Sequence, residues 1–182
     1  LEHLFVTTSH NLTTSHNRSD LQQGGFSPLL IVNVELNPEQ LELLQQWTQR
    51  RVKREPLQHI LGVAPFYGLE LVVNPNVLIP RPETERLVEI ILEHIKRLEL
   101  PKILDVGTGS GAITLALKHE HPDAVVMASD ISAKALEVAK QNAAKYGLEI
   151  MWKESDLLGT PDVQAFAKTC DVLVANLPYL PE

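Results

Sequence analysis

An α/β fold on a parallel sheet is what the sequence predicts, and three features predict it. From residue 83 onward short apolar runs alternate with helix-patterned segments, the order that generates right-handed βαβ units. The turn Gly107-Thr108-Gly109-Ser110-Gly111 falls between an apolar run and a helical pattern. The apolar run 171–175 opens directly onto Asn176-Leu177-Pro178-Tyr179, which puts polar groups at a strand's carboxyl end, the rim where open α/β sheets bind ligands.

The elements follow in order. Residues 1–36 form an atypical segment in which Thr7-Thr8-Ser9-His10-Asn11 recurs as Thr13-Thr14-Ser15-His16-Asn17. Sequence this rich in Ser, Thr and Asn buries too little apolar surface to offset chain entropy, so it is expected to be mostly disordered. Within it, Pro28–Val34 reads as a short strand or a truncated helix. His3, His10 and His16 lack carboxylate or Cys partners at ligand spacing, so no metal site is expected.

Residues 37–62 carry a helix: Asn37 suits the cap, Pro38 the first position, and Gln40 sits three after the cap. Leu41, Leu44 and Trp47 line one side through about Arg54, and Pro56 ends it. Residues 63–82 read as a β-hairpin linker, with Phe66–Val73 and Val77–Ile79 as arms and Asn74-Pro75-Asn76 as the turn.

The remaining stretch, 83–182, opens with a helix near 84–98 whose stripe is Leu87, Ile91, Ile95 and Leu98. Strands are expected at 102–106, 124–129, about 148–152 and 171–175, and helices at 111–120, 133–146 and, more weakly, 162–169. Ser132 caps the middle helix and Gly147 ends it. The predicted fold is therefore a Rossmann-like parallel sheet of about four strands, incomplete, preceded by a short helical segment and a hairpin.

Composition bounds the function. The chain has 182 residues, is 44% apolar and carries a formal charge of −7, enough length for a core and the wrong balance for a default nucleic-acid partner. Arg50, Arg51, Lys53 and Arg54 cluster, but cations suit a helix carboxyl end and read as a solvated terminus. No apolar run is long enough to span a membrane. The first residues lack the basic start and apolar core of a secretory signal, so the cytoplasm is the default and the acceptor patterns at Asn11 and Asn17 are read as chance matches to a glycosylation site. Cys170 is the single cysteine, which leaves no disulfide framework.

Gly107, Gly109 and Gly111 allow positive φ and let backbone amides approach a ligand where strand turns into helix. The loop alone fits two cofactors, because Gly107-x-Gly109-x-x-Ala112 also matches the dinucleotide fingerprint and Asp130 sits where a ribose-binding acid belongs. Two residues favour S-adenosylmethionine over NAD. Asp105, two before the first glycine, would hold a positively charged amino-acid moiety that NAD lacks, and Asp156 would accept from an adenine amino group. At the other loop, Asn176 offers a side-chain carbonyl and Leu177 a backbone carbonyl to the two N–H groups of a planar amine or amide. Pro178 stiffens that turn and Tyr179 supplies a flat wall. Such positioning of a weak nucleophile contributes several kcal/mol, on the order of the lower proximity estimates.

Arg54-Glu55-Pro56-Leu57-Gln58-His59-Ile60-Leu61-Gly62, Phe66-Tyr67-Gly68 and Leu78-Ile79-Pro80-Arg81-Pro82-Glu83-Thr84-Glu85, followed by the glycine loop and the Asn176 motif, resemble the signature of HemK-type peptide chain release factor glutamine methyltransferases. The resemblance covers about residues 37–182. It implies methyl transfer from S-adenosylmethionine to the side-chain amide of the glutamine in a release factor's Gly-Gly-Gln motif. It also implies that 37–62 is a remnant of a helical substrate-recognition domain and 83–182 the amino-terminal part of the cofactor-binding domain. By motif match Gly107, Thr108, Gly109, Ser110 and Gly111 hold the cofactor, with Asp130 on ribose and Asp156 and Leu157 beside adenine. Asn176 and Leu177 grip the amide, Pro178 and Tyr179 complete the pocket, and Arg81 and Glu83 order its wall.

The family usually has Asn-Pro-Pro-Tyr where Leu177 replaces the first proline, and Asn-Leu-Pro-Tyr is also similar to the motif of ribosomal RNA adenine dimethyltransferases, which leaves an adenine amino group as the alternative acceptor. The family's sheet also continues past this loop, so strand 171–175 is expected at an exposed edge. The chain is accordingly expected to be a fragment, or an inactive relative, with weak or no turnover.

Overall fold

Helix α1 (Pro38–Val52) carries Glu39 in its first turn and Arg50 and Arg51 in its last, the charge order that suits the helix dipole. The computed structural model describes residues 35–177; the disorder expected for residues 1–34, the element at Pro28–Val34, and Pro178 and Tyr179 lie outside them. The chain divides into Leu1–Asn37 and Pro38–Glu182, and every described helix and strand belongs to the second unit. Leu44 and Trp47 of α1 are half-buried whereas Leu41 is exposed. Arg50 donates to both carboxylate oxygens of Glu55 and to the carbonyls of His59 and Ile60, which ties α1 to the short helix α2 (Leu57–Leu61).

The linker is a hairpin, but its turn lies seven residues earlier than the sequence suggested. Strands β1 (Val63–Phe66) and β2 (Leu69–Val72) pair antiparallel with Phe66 opposite Leu69. Tyr67 and Gly68 form the two-residue connection at φ 47° and 76°, the left-handed pair that matches strand twist. Asn74-Pro75-Asn76 does not serve, because proline fixes φ at a negative value. It forms a separate bend, with the Asn76 N–H donating to Asn74 Oδ1 (2.9 Å) and the Val77 N–H to the Asn74 carbonyl (3.1 Å). Val77 and Ile79 then pack with Ala64, Val73, Ala135 and Val138 instead of extending a strand.

A 3-10 turn (Pro82–Thr84) leads into α3 (Glu85–Ile95). Its buried residues are Val88, Ile91 and Ile95; Leu98, expected on this stripe, lies beyond the helix end and is exposed. Strand β3 (Lys102–Val106), α4 (Ala112–Glu120), β4 (Val125–Asp130), α5 (Ala133–Tyr146), β5 (Met151–Glu154), α6 (Pro161–Ala167) and β6 (Val172–Ala175) then alternate. Ser132 caps α5 by accepting from the Ala135 N–H, and Gly147 ends it in the left-handed conformation.

The four strands pair in parallel in the order β5-β4-β3-β6. Ile103, Val126 and Val174 face a core made with α3 and α4, whereas Leu104, Val106 and Met127 pack on Val163 and Phe166 of α6. Helices thus cover both faces, and the chain changes direction across the sheet beside β3. The loops after β3, β4, β5 and β6 meet at one rim, where such sheets bind ligands.

Asn142 of α5 clasps the hairpin to this sheet. Fully buried, it accepts from the Val72 N–H (2.7 Å) and donates to the carbonyls of Val72 and Ser110 (3.0 Å each). Asn142→Leu would strand an N–H and two carbonyls in an apolar setting. It is expected to destabilise the fold by about 3 kcal/mol, read as a lowered urea midpoint with unchanged slope.

Candidate active site

The glycine loop after β3 is held by its own protein partners. The Gly107 and Thr108 amides both donate to the Ser129 carbonyl (2.8 and 2.9 Å), and the Gly111 amide to the Thr108 carbonyl (2.9 Å). The Gly109 amide donates to Asp130 Oδ2 (2.9 Å), while Asp130 Oδ1 accepts from the Ser132 N–H (2.9 Å). The glycine pattern predicts that these amides approach a ligand. Instead a carboxylate occupies the Gly109 N–H, the place where a dinucleotide loop would offer its amide to pyrophosphate.

Asp105 lies beneath the loop, 1% exposed. Its Oδ2 accepts from the hydroxyls of Thr108 (2.8 Å) and Thr114 (2.6 Å). Burial pushes its carboxyl above the usual range, the two hydroxyls oppose that rise, and the nearby charge of Asp130 adds to it. A cation at this spot would favour the ionised form.

Gly107 shows why the loop needs glycine. Its φ is 75°, and a Cβ there would stand 2.4 Å from Leu177 Cδ2. That methyl ends a half-exposed side chain and can swing aside, so backbone strain dominates. Gly107→Ala is expected to destabilise by about 1–2 kcal/mol, with little recovery when Leu177→Ala is added; thermal denaturation of both variants measures it.

Beyond β5, the Gly159 N–H donates to the Asp156 carbonyl (2.7 Å) and the Ser155 hydroxyl to the Leu157 carbonyl (3.0 Å), closing a turn in which Leu157 takes φ 48°. A left-handed leucine is strained, and such strain clusters where ligands are held. After β6, Asn176 Nδ2 donates to the Thr84 hydroxyl (3.2 Å) and the Leu177 side chain lies over Gly107.

Two larger cavities meet at these last residues. One of about 230 Å³ is bordered by Gly107, Gly109, Asp130, Asp156, Leu157, Asn176 and Leu177. The other, about 730 Å³, is an open groove bordered by Leu78, Arg81, Glu83, Thr84, Leu87, Asn176 and Leu177. A recess of about 60 Å³ joins Asp105, Thr108 and Ser110 to Arg81 and Asn176. Among the described residues, those singled out in the sequence therefore converge, apart from Gly111, which borders none of these spaces and packs toward Leu115 and Ala139. Sequence reasoning missed Thr84, Thr114, Ser129 and Asn142. Asn142 carried a visible signal, a polar residue among Val138, Ala139 and Ala143 on the buried stripe of α5.

Carboxylates on several sides and amides already bonded suit a ligand with hydroxyls and positive charge better than a polyanion. Among the described residues no group of three His, Cys, Asp or Glu could hold a metal ion, and no helix is long and apolar enough to cross a membrane.

Known proteins resemble both parts of the chain. The methyltransferase small domain model matches residues 82–180, and the PrmC N-terminal domain model matches residues 29–62. The release factor glutamine methyltransferase of Neisseria gonorrhoeae is 47% identical over 132 residues, 72% of this chain and 47% of that protein. That of Streptococcus pneumoniae is 43% identical over 142 residues, 78% of this chain and 49% of the other. The chain thus spans about half the length of the curated relatives it matches. A solved T. thermophilus 16S rRNA methyltransferase in complex with AdoMet and guanosine shares the fold at a TM-score of 0.50 and 22% identity, covering 65% of this chain and 32% of that one.

Proposed function

This chain belongs to the methyltransferase small domain family, and from that premise we propose that it serves methyl transfer from S-adenosylmethionine to the side-chain amide of the glutamine in the Gly-Gly-Gln motif of a peptide chain release factor. The observation that carries the cofactor assignment is the hydrogen bond from the Gly109 amide to Asp130. A carboxylate there repels a pyrophosphate and leaves lone pairs for ribose hydroxyls. Asp105 in its recess suits the cationic amino-acid end, and Asp156 and Leu157 suit adenine. When bound, the cofactor supplies an electrophilic methyl group on sulfonium. The names of the relatives support the acceptor.

Asn176 and Leu177 border both the cavity beside Asp130 and the open groove, so an acceptor reaching from the groove meets them first. The Asn176 Oδ1 and the Leu177 carbonyl accept the two N–H groups of the amide. Holding both N–H groups would fix the amide plane, so that the face bearing the delocalised lone pair, perpendicular to that plane, could be presented to the methyl group. Binding the neutral amide would need no general base; on transfer the S–CH3 bond would break to leave S-adenosylhomocysteine, and the N–H proton would pass to solvent through the open groove. Arg81 and Glu83 flank the groove and order its wall. Pro178 and Tyr179 complete the pocket in this reading.

Labelled methyl transfer to a release factor and to ribosomal RNA separates this acceptor from an adenine amino group. Whatever label the chain transfers, weak turnover included, is expected in the release factor glutamine and not in RNA. Label in RNA would assign the Asn176 loop to adenine instead.

A further inference from the structure

We propose that Arg81 is a cofactor-binding residue whose guanidinium takes the carboxylate of the amino-acid end of S-adenosylmethionine, while Asp105 takes the ammonium. The proposal rests on the reading of the cofactor as S-adenosylmethionine and adds the group that selects an intact amino-acid end. That end carries one charge of each sign. Asp105, Asp130 and Asp156, which border the recess or the cavity next to it, all disfavour a carboxylate. Among the described residues, Arg81 is the only basic one that borders the recess, that cavity or the open groove.

The backbone fixes where the Arg81 side chain starts. A residue before proline is confined to extended conformations, and Arg81, preceding Pro82, has φ −96° and ψ 139°. Its carbonyl accepts from the Thr84 N–H (3.0 Å), which ties it to the turn ahead of α3. The side chain is exposed and makes no hydrogen bond or ion pair with the described residues. It therefore pairs neither with Asp105, in the same recess, nor with Glu83. Ser110 supplies a second donor: it is 2% exposed, borders the recess, and its hydroxyl makes no hydrogen bond with the described residues. Ala112 and Ile113 border the recess from the first turn of α4, the end of a helix that favours negative charge. The recess thus combines an acid that suits an ammonium with a guanidinium, a hydroxyl and a helix amino end that suit a carboxylate. Its volume of about 60 Å³ holds roughly four or five water-sized groups, the scale of an ammonium and a carboxylate on one carbon.

The test is calorimetric titration of the full chain with S-adenosylhomocysteine and with its decarboxylated analogue, which keeps the ammonium, thioether and nucleoside. Arg81→Met keeps an aliphatic stem without the charge. It is expected to weaken S-adenosylhomocysteine by about tenfold, the lower range for a hydrogen bond between charged groups. The analogue, with no carboxylate to lose, is expected to bind no more weakly. Arg81→Glu is expected to weaken S-adenosylhomocysteine further, while the analogue, a net cation, binds as well or tighter. In both variants the ratio of the two affinities shifts against S-adenosylhomocysteine by about tenfold or more. A merely structural role weakens both ligands alike and leaves the ratio in place. A ratio in Arg81→Met within about twofold of the unaltered chain's overturns the role of Arg81 alone, since S-adenosylhomocysteine binding by the unaltered chain keeps the cofactor reading. An unaltered chain that fails to bind S-adenosylhomocysteine overturns the cofactor reading and the proposal with it.

Discussion

Asn176→Ala is expected to cut methyl transfer by about two to three orders of magnitude while S-adenosylhomocysteine affinity stays within about twofold. The asymmetry follows from where the side chain lies. Asn176 anchors on Thr84 and borders the groove, so under the proposed function its Oδ1 meets the acceptor. The cofactor-side carboxylates are held elsewhere, Asp130 by the Gly109 and Ser132 amides and Asp105 by two threonine hydroxyls. Truncation at Asn176 therefore removes the orienting contact for a nitrogen whose lone pair is delocalised. Single-turnover rates beside equilibrium titration with S-adenosylhomocysteine check both halves. A rate within about threefold of the unaltered chain would remove Asn176 from the reaction.

Asp130→Ala is expected to do the reverse, weakening S-adenosylhomocysteine by about 30- to 100-fold, the magnitude of one or two charge-assisted hydrogen bonds. The loss has two sources. One is the acceptor for ribose hydroxyls. The other is the clamp on the loop, since Asp130 Oδ2 holds the Gly109 amide and Oδ1 the Ser132 amide at the start of α5. Asp130→Asn separates them, because its single carbonyl restores one of the two amide contacts without the charge. Near-wild-type binding in Asp130→Asn would assign the role to the clamp; binding as weak as in Asp130→Ala would assign it to the carboxylate facing ribose. Equal loss of cofactor binding in Asp130→Ala and Asn176→Ala would point to misfolding instead of two separate roles.

The alternation of strands and helices after residue 83 was legible because each element announces itself locally. Strand β3 at 102–106 and helix α5 at 133–146 lie where the apolar run, the Ser132 cap and the Gly147 stop place them. The hairpin was not legible in the same way. Tyr67 adopts a positive φ that an aromatic residue rarely takes, whereas Asn74-Pro75-Asn76 displays the residues that turns usually use. Tertiary anchoring explains the choice, since Glu85 accepts from the Tyr67 amide and Asn142 seizes Val72.

The site divides the same way. Residues at strand ends, Asp105, Asp130, Asp156 and Asn176, are found by position alone, because a parallel sheet gathers its carboxyl ends on one rim. Their partners are not. That Asp130 takes the Gly109 amide, or that Thr84 takes the Asn176 amide, depends on contacts between segments 21 and 92 residues apart. Spacing within one loop carries no trace of such pairs.

The proposed function turns on the loop between Asp105 and Asp130 taking S-adenosylmethionine and not a dinucleotide. Calorimetric titration of the purified chain with S-adenosylhomocysteine and, separately, NADH tests it without requiring turnover. Saturable binding of S-adenosylhomocysteine and none of NADH is the predicted result. Saturable binding of NADH, with S-adenosylhomocysteine failing to compete, would contradict it.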